Sequence, residues 1–110
     1  MNEIQFEDFE KLDIRVGTIL EVHEFPEAHN PAYQLTIDFG PLGIKKTSAQ
    51  ITARYSPRDL MNQQIVALLN IPVKQIGSFD SECLLLGAVN ANDVFIVRPE
   101  FLVKAGTLVK

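Results

Sequence analysis

This chain has little cysteine and no surplus of positive charge. One cysteine, Cys83, in 110 residues leaves no internal disulfide to form, so the fold must rest on packing. Cys83 sits in the apolar run Cys83-Leu84-Leu85-Leu86, and neither His23 nor His29 is near it in sequence; it reads as a packed core thiol, not a nucleophile. Ten Lys and Arg face fourteen Asp and Glu, a net charge of -4, so the field as a whole repels polyanions. Contact with nucleic acid would need a local cationic patch, which is possible because screening over roughly 8 Å at physiological salt mutes distant carboxylates. No apolar run approaches the roughly 18 residues of a membrane-spanning helix. The stretch from Met1 to Asp8 is acidic and lacks the basic leader and apolar run of a signal peptide, which predicts a cytoplasmic chain. No P-loop, Gly-x-Ser-x-Gly, paired carboxylates or Ser, His and acid cluster occurs. A non-catalytic protein with no cofactor is therefore expected. Between His23 and His29 there are two imidazoles and two carboxylates, but Pro26 breaks the regular spacing that would converge them on a metal, and none is expected.

What is present is a run of short strands. At 46% hydrophobic, residues 1–110 are long enough for one domain burying roughly two thirds of its unfolded surface, and too short for two. Phe6, Phe9 and Leu12 recur at helical spacing among charged neighbours, predicting a short amphipathic helix. From Ile14 to Val22 apolar and polar positions alternate, predicting a long strand bent at Gly17. Tyr33, Leu35, Ile37 and Phe39 alternate with Gln34, Thr36 and Asp38 up to the turn at Gly40–Gly43, and this stripe reads as core. Ile44 to Ile51 is a third strand. Ser56-Pro57-Arg58-Asp59 supplies an N-cap, a proline at the first helical position and an acid two residues later, announcing a short helical turn. Ile65–Leu69, Glu82–Ala88 and Val94–Val97 complete the strands. This order predicts an all-β OB-fold: a five-stranded barrel with a short N-terminal helix and C-terminal extension strands.

Polar residues interrupt these strands. Arg15 offers a bidentate fork to a phosphate or carboxylate; if the first hairpin pairs His23 near Ala32, Arg15 instead becomes a diagonal neighbour of Asp38. Lys45, Lys46 and Lys74, with Arg54 and Arg58, form either a cationic rim or an ordinary solvated surface. Tyr33, Tyr55 and Phe79 are candidates for stacking. Ser48, Gln50, Asn70, Ser81 and Glu82 lie near strand ends, where they bind a ligand or close turns. Phe25, Pro26, Ala28, Pro31 and Ala32 form an apolar loop that is either a patch for unfolded peptide or a cover for the barrel end. Phe6, Phe9, Leu12, Val94, Phe95 and Val103 lie in terminal segments outside a five-stranded barrel and are candidate dimer contacts.

Asp13-Ile14-Arg15-Val16-Gly17, Ile37-Asp38-Phe39-Gly40, Ser48-Ala49-Gln50-Ile51, Asn70 to Pro72 and Ser81-Glu82 together resemble the tRNA-binding OB domain attached to some methionyl- and phenylalanyl-tRNA synthetases. The resemblance spans nearly the whole chain. Glu24-Phe25-Pro26-Glu27-Ala28, Pro31-Ala32, Gly43-Ile44-Lys45, Ser48 to Thr52 and Leu84 to Gly87 look most like the free-standing, chaperone-like bacterial members of that family, which are implicated in secretion. The resemblance implies an OB-fold homodimer joined through its terminal segments. It also implies a surface for unfolded preproteins or peptides, with tRNA as the alternative partner, that includes Arg15, Lys45, Lys46, Ser48, Gln50, Asn70, Lys74, Ser81, Glu82 and Leu84. Leu84 stands where the tRNA-binding relatives carry methionine, and Asn70-Ile71-Pro72-Val73-Lys74 carries one cation where they carry more.

Overall fold

Successive side chains of a strand point to opposite faces. The alternation from Tyr33 to Phe39 therefore puts Tyr33, Leu35, Ile37 and Phe39 inside, all four buried, and leaves Gln34, Thr36 and Asp38 half-buried. The structure, a computed structural model, describes residues 1–110. This central strand, β2 (Tyr33–Asp38), lies between β1 (Ile14–Glu24) and β3 (Ile44–Ala49), antiparallel to both. The remaining strands are β4 (Gln64–Leu68), β5 (Lys74–Ile76), β6 (Phe79–Ser81), β7 (Leu84–Leu85), β8 (Gly87–Asn90), β9 (Asp93–Ile96) and β10 (Leu108–Val109). Helix α1 (Phe6–Glu10) precedes β1, and α2 (Pro57–Leu60) connects β3 to β4.

The main path runs β3-β2-β1-β4-β7. Its ends meet: the Glu82 N–H donates to the Lys46 carbonyl at 2.7 Å, and the Lys46 N–H donates to Glu82 Oε1 at 2.9 Å. A nearly closed five-stranded barrel results, which is the expected OB-fold. Closure is favourable because it removes the unpaired backbone groups of two sheet edges.

Strand β1 makes closure possible by serving both of its neighbours on that path, while β10 pairs with it off the path at Ile14 and Arg15. Ile14 to Thr18 pair with β4, and Thr18 to Glu24 pair with β2. The register shifts between Ile19 and Glu21, and such a bulge adds the twist that curls a sheet. The bend expected at Gly17 thus falls slightly later. Gly17 serves close packing instead. A Cβ there would lie 2.5 Å from Ile37 Cγ2 and 2.6 Å from Phe39 Cε1, so only glycine lets β1 lie against the Phe39 ring.

Helix α2 starts as its sequence dictates. The Asp59 carboxylate accepts from both the backbone N–H and the hydroxyl of Ser56, each at 2.9 Å, and Leu60 plugs the core with no exposed surface. Those bonds, led by the backbone one, lower the carboxyl pKa. Around Leu60 gather Ile19, Leu35, Ile37, Phe39, Ile65 and Cys83, the expected core thiol.

Three local expectations are corrected. The strand expected over Glu82–Ala88 divides at Leu86, whose N–H donates to Val66 while its carbonyl accepts from Val97; the backbone leaves the barrel there and β8 pairs with β9 as a separate hairpin. A further hairpin, β5 with β6, stands where no strands are expected; it turns at Gly77, whose φ is +61°, and is too short to show a period. Arg15 does not neighbour Asp38. His23 pairs with Gln34, and the Arg15 half of β1 runs beside β4 and β10. Arg15 Nε instead donates to Asp13 Oδ1 at 2.6 Å and its Nη1 to the Gly106 carbonyl at 3.1 Å, while Asp38 Oδ1 accepts from the Gly40 N–H.

Candidate ligand-binding groove

The end of β3, the Ile71–Lys74 loop, the Ser81–Leu85 segment and Val94 enclose a groove of about 320 Å³. Its wall is built by polar residues that interrupt apolar strands. Thr47, buried, donates its hydroxyl to the Cys83 carbonyl at 2.7 Å and lies 3.2 Å from Ser81 Oγ. Ser81 Oγ also accepts from the Ser48 N–H at 3.2 Å. With Glu82 bonded to Lys46, these groups sew residues 81–83 onto β3. Every buried side-chain polar atom has a partner, so the wall is rigid and the polar surface free for a ligand comes from its rim.

Of the residues expected to bind, Ser48, Gln50, Lys74, Ser81 and Leu84 line this groove together. Gln50, Lys74 and Leu84 are exposed; Ser48 is half-buried and Ser81 buried. Lys45 and Lys46 precede them on β3, with Lys46 exposed and Lys45 half-buried. Lys45 acts on the Cys83 thiol, whose pKa burial pushes up to about 11, aided by Glu82 and opposed by Lys45. Glu82 spends one carboxylate oxygen on the Lys46 backbone. Asn70 lies outside the lining: its Oδ1 accepts from the Asp13 N–H at 2.8 Å and its Nδ2 donates to the Lys11 carbonyl at 2.6 Å. Arg15 lies in a different cavity, of about 410 Å³, with Phe6, Phe9, Leu12, Leu108 and Val109.

Sequence reasoning missed Ile51, Ile71, Pro72, Leu85 and Val94 as groove lining, because an apolar residue at a strand end carries no local sign of which cavity it faces. The three candidate stacking rings are engaged elsewhere. Tyr33 is buried and donates to the Tyr55 carbonyl at 2.8 Å, Tyr55 Oη accepts from the Ile96 N–H, and Phe79 packs on Phe25 with centroids 5.1 Å apart. The loop from Phe25 to Ala32 is divided: Phe25 and Ala32 are buried over the barrel end, and Pro26 and Pro31 are exposed. Arg54 is committed too, donating to Asp93 Oδ2 at 2.9 Å and lying 4.4 Å above the Phe95 ring. Of the other candidate rim cations Lys46, Lys74 and Arg58 are exposed, and Lys74 alone lines the groove.

The candidate dimer residues fall in distinct places. Phe6 is 70% exposed and Leu12 is exposed, with Phe9 half-buried beside them. Val94 packs against the core and faces the groove; Phe95 lies under Arg54. Val103 is exposed but fixed, since the Gln64 amide donates to its carbonyl at 2.7 Å and accepts from its N–H at 3.1 Å. Next to it Phe101 and Leu102 are 76% and 85% exposed, the largest apolar surface of the C-terminal segment and one that sequence reasoning passed over. Their signal was an unalternated Phe101-Leu102-Val103 run after Pro99. No helix is long and apolar enough to cross a membrane.

Residues 14–108 match the family model described as "Putative tRNA binding domain". The chaperone CsaA of Bacillus anthracis superposes with a TM-score of 0.94 at 49% identity, over 99% of this chain and 100% of that one. CsaA of Picrophilus torridus does so at 0.93 and 43%, over 98% and 100%. The chain belongs to the CsaA group of the tRNA-binding domain family. The methionine–tRNA ligase of Pyrococcus horikoshii is 33% identical over 110 residues, 100% of this chain and 15% of the ligase. The chain thus spans about 15% of the length of that curated relative, and the family is defined by a binding domain, not a catalytic one.

Proposed function

We propose that this chain is a non-catalytic, cytoplasmic chaperone module of CsaA type that acts as a homodimer, holding extended segments of unfolded preproteins or peptides in support of secretion. The groove beside β3 carries this reading. Ile71, Leu84 and Leu85 offer apolar contact for alternate side chains of an extended chain, and Ser48, Gln50 and Lys74 at the rim meet its backbone, the combination by which sheet proteins take extended peptides. Likeness over the full chain to two proteins described as CsaA supports it. Holding needs no nucleotide, in keeping with a sequence that has no nucleotide motif. Exposed Phe6, Leu12, Phe101 and Leu102 give a second copy apolar surface to cover, and two grooves in one dimer raise the avidity for a long client through effective concentration.

The test is aggregation of a chemically denatured client, followed by light scattering with and without the protein at dimer-forming concentration. Delayed aggregation is expected. Failure to protect, or a monomeric mass at tens of micromolar by multi-angle scattering, would remove the reading.

The second reading, a tRNA-binding protein acting in trans, is favoured by the family description and by the exposure of Lys46, Lys74 and Arg58. If these three meet phosphates, log affinity falls with log salt at a slope of roughly -2 to -3. A competition between tRNA and an unfolded peptide decides whether both use the groove.

A further inference from the structure

Next to the groove is a shallower hollow of about 270 Å³. Phe25, Ala32 and Tyr33 form its floor, all three buried, and Pro26, Pro31 and Thr52 its sides. Ile51 lines the groove and Thr52 the hollow; Ala49, a groove residue, is the strand partner of Tyr33. Only the Ala49–Thr52 segment separates the two. They differ in charge. The groove lining holds Lys74 and no acid, whereas the hollow holds Glu24 and no cation. Glu24 takes part in none of the chain's ion pairs, which join Asp8 to Lys11, Asp13 to Arg15, Glu21 to His23 and Asp93 to Arg54. The field there is negative: besides burial, Glu24 and Asp59 raise the pKa of the Tyr33 hydroxyl.

We propose that this hollow is a second subsite, which takes a lysine or arginine side chain of the same extended polypeptide held in the groove. This rests on the peptide-holding reading above. The alkyl stem of the basic residue covers Phe25, Pro26 and Pro31, and its charged head meets Glu24, the arrangement by which long cationic side chains bury a stem and keep the head in water. A neighbouring unpaired carboxylate makes the hollow complementary to that occupant and repellent to a phosphate. A client therefore lies across the Ala49–Thr52 segment with a basic residue at the Glu24 end.

The test uses the full-length protein and pairs of fluorescent peptides of one apolar extended sequence, each pair carrying lysine or norleucine at one position that is walked along the chain. At the best position the lysine peptide is expected to bind about three- to fivefold tighter, as a partly exposed ion pair allows. That advantage should vanish in Glu24→Gln and persist in Glu21→Gln, which removes the same charge elsewhere on β1. Twins that bind equally at every position, or an equal loss in both variants, would overturn the subsite while leaving the groove reading intact. If no peptide binds at all, both readings fall. Should Glu24→Gln tighten tRNA and leave the lysine advantage unchanged, the hollow belongs to the edge of an RNA surface and the proposal is overturned.

Discussion

Asn70 clasps Asp13: its side-chain oxygen accepts from the Asp13 N–H at 2.8 Å, while its amide donates to the Lys11 carbonyl at 2.6 Å. One side chain at the end of β4 thereby fixes the exit of α1 into β1. Asn70→Ala is expected to cost about 1 kcal/mol, the ordinary net worth of such bonds, and to free α1. Hydrogen exchange at residues 5–13 should accelerate, and dimer dissociation should rise more than peptide affinity falls. Unchanged exchange would mean that the clasp contributes nothing.

Thr47 is the buried rivet between β3 and the Ser81–Cys83 segment, with a 2.7 Å bond to the Cys83 carbonyl. Thr47→Val keeps the shape and leaves that carbonyl and the Ser81 hydroxyl short of a partner, a loss of about 1–3 kcal/mol. Thr47→Ser keeps the donor and should lose about half of that or less. Urea midpoints at constant m distinguish the two.

The Cys83 thiol is held from its ordinary 9.0 up to about 11, chiefly by burial. The folded state therefore retains a proton that the unfolded chain releases first. Stability from this source is fully present below pH 9 and is lost as the pH rises through 11. Denaturant midpoints should fall over that interval in the wild type, and Cys83→Ala should flatten the decline at the cost of about 1 kcal/mol at neutral pH. In the native protein, iodoacetamide at pH 8 should label Cys83 only through unfolding.

Leu84 projects from β7 at the mouth of the groove, 49% exposed. Leu84→Asp should weaken binding of an extended apolar peptide by about tenfold and change folding stability by less than about 0.5 kcal/mol, as surface substitutions do. Fluorescence anisotropy with parallel urea melts checks both. Peptide affinity equal to wild type would place the client elsewhere.

Much of the barrel was legible in the chain. The Tyr33–Phe39 alternation, the Ser56-Pro57 helix start and the Pro-bounded apolar runs each answer to a local rule, and each stands where it was expected. The candidate site was legible only in part. Ser48, Gln50, Lys74, Ser81 and Leu84 share the groove, but Arg15 and Asn70 stand apart from it. A polar residue just past a strand end advertises an unmet bond without naming the partner, so Asn70 looks equally like a ligand and like the clasp it forms.

The sequence by itself determined the elements and their inner faces, because side-chain period, proline and capping chemistry act between neighbours. Tertiary structure alone decided how the sheet closes and what its polar residues hold. The Thr47–Ser81 contact joins side chains 34 residues apart and the Lys46–Glu82 bond spans 36. Such partners meet only after the bulge near Leu20 has curled β1 and carried the far end of the path back to β3.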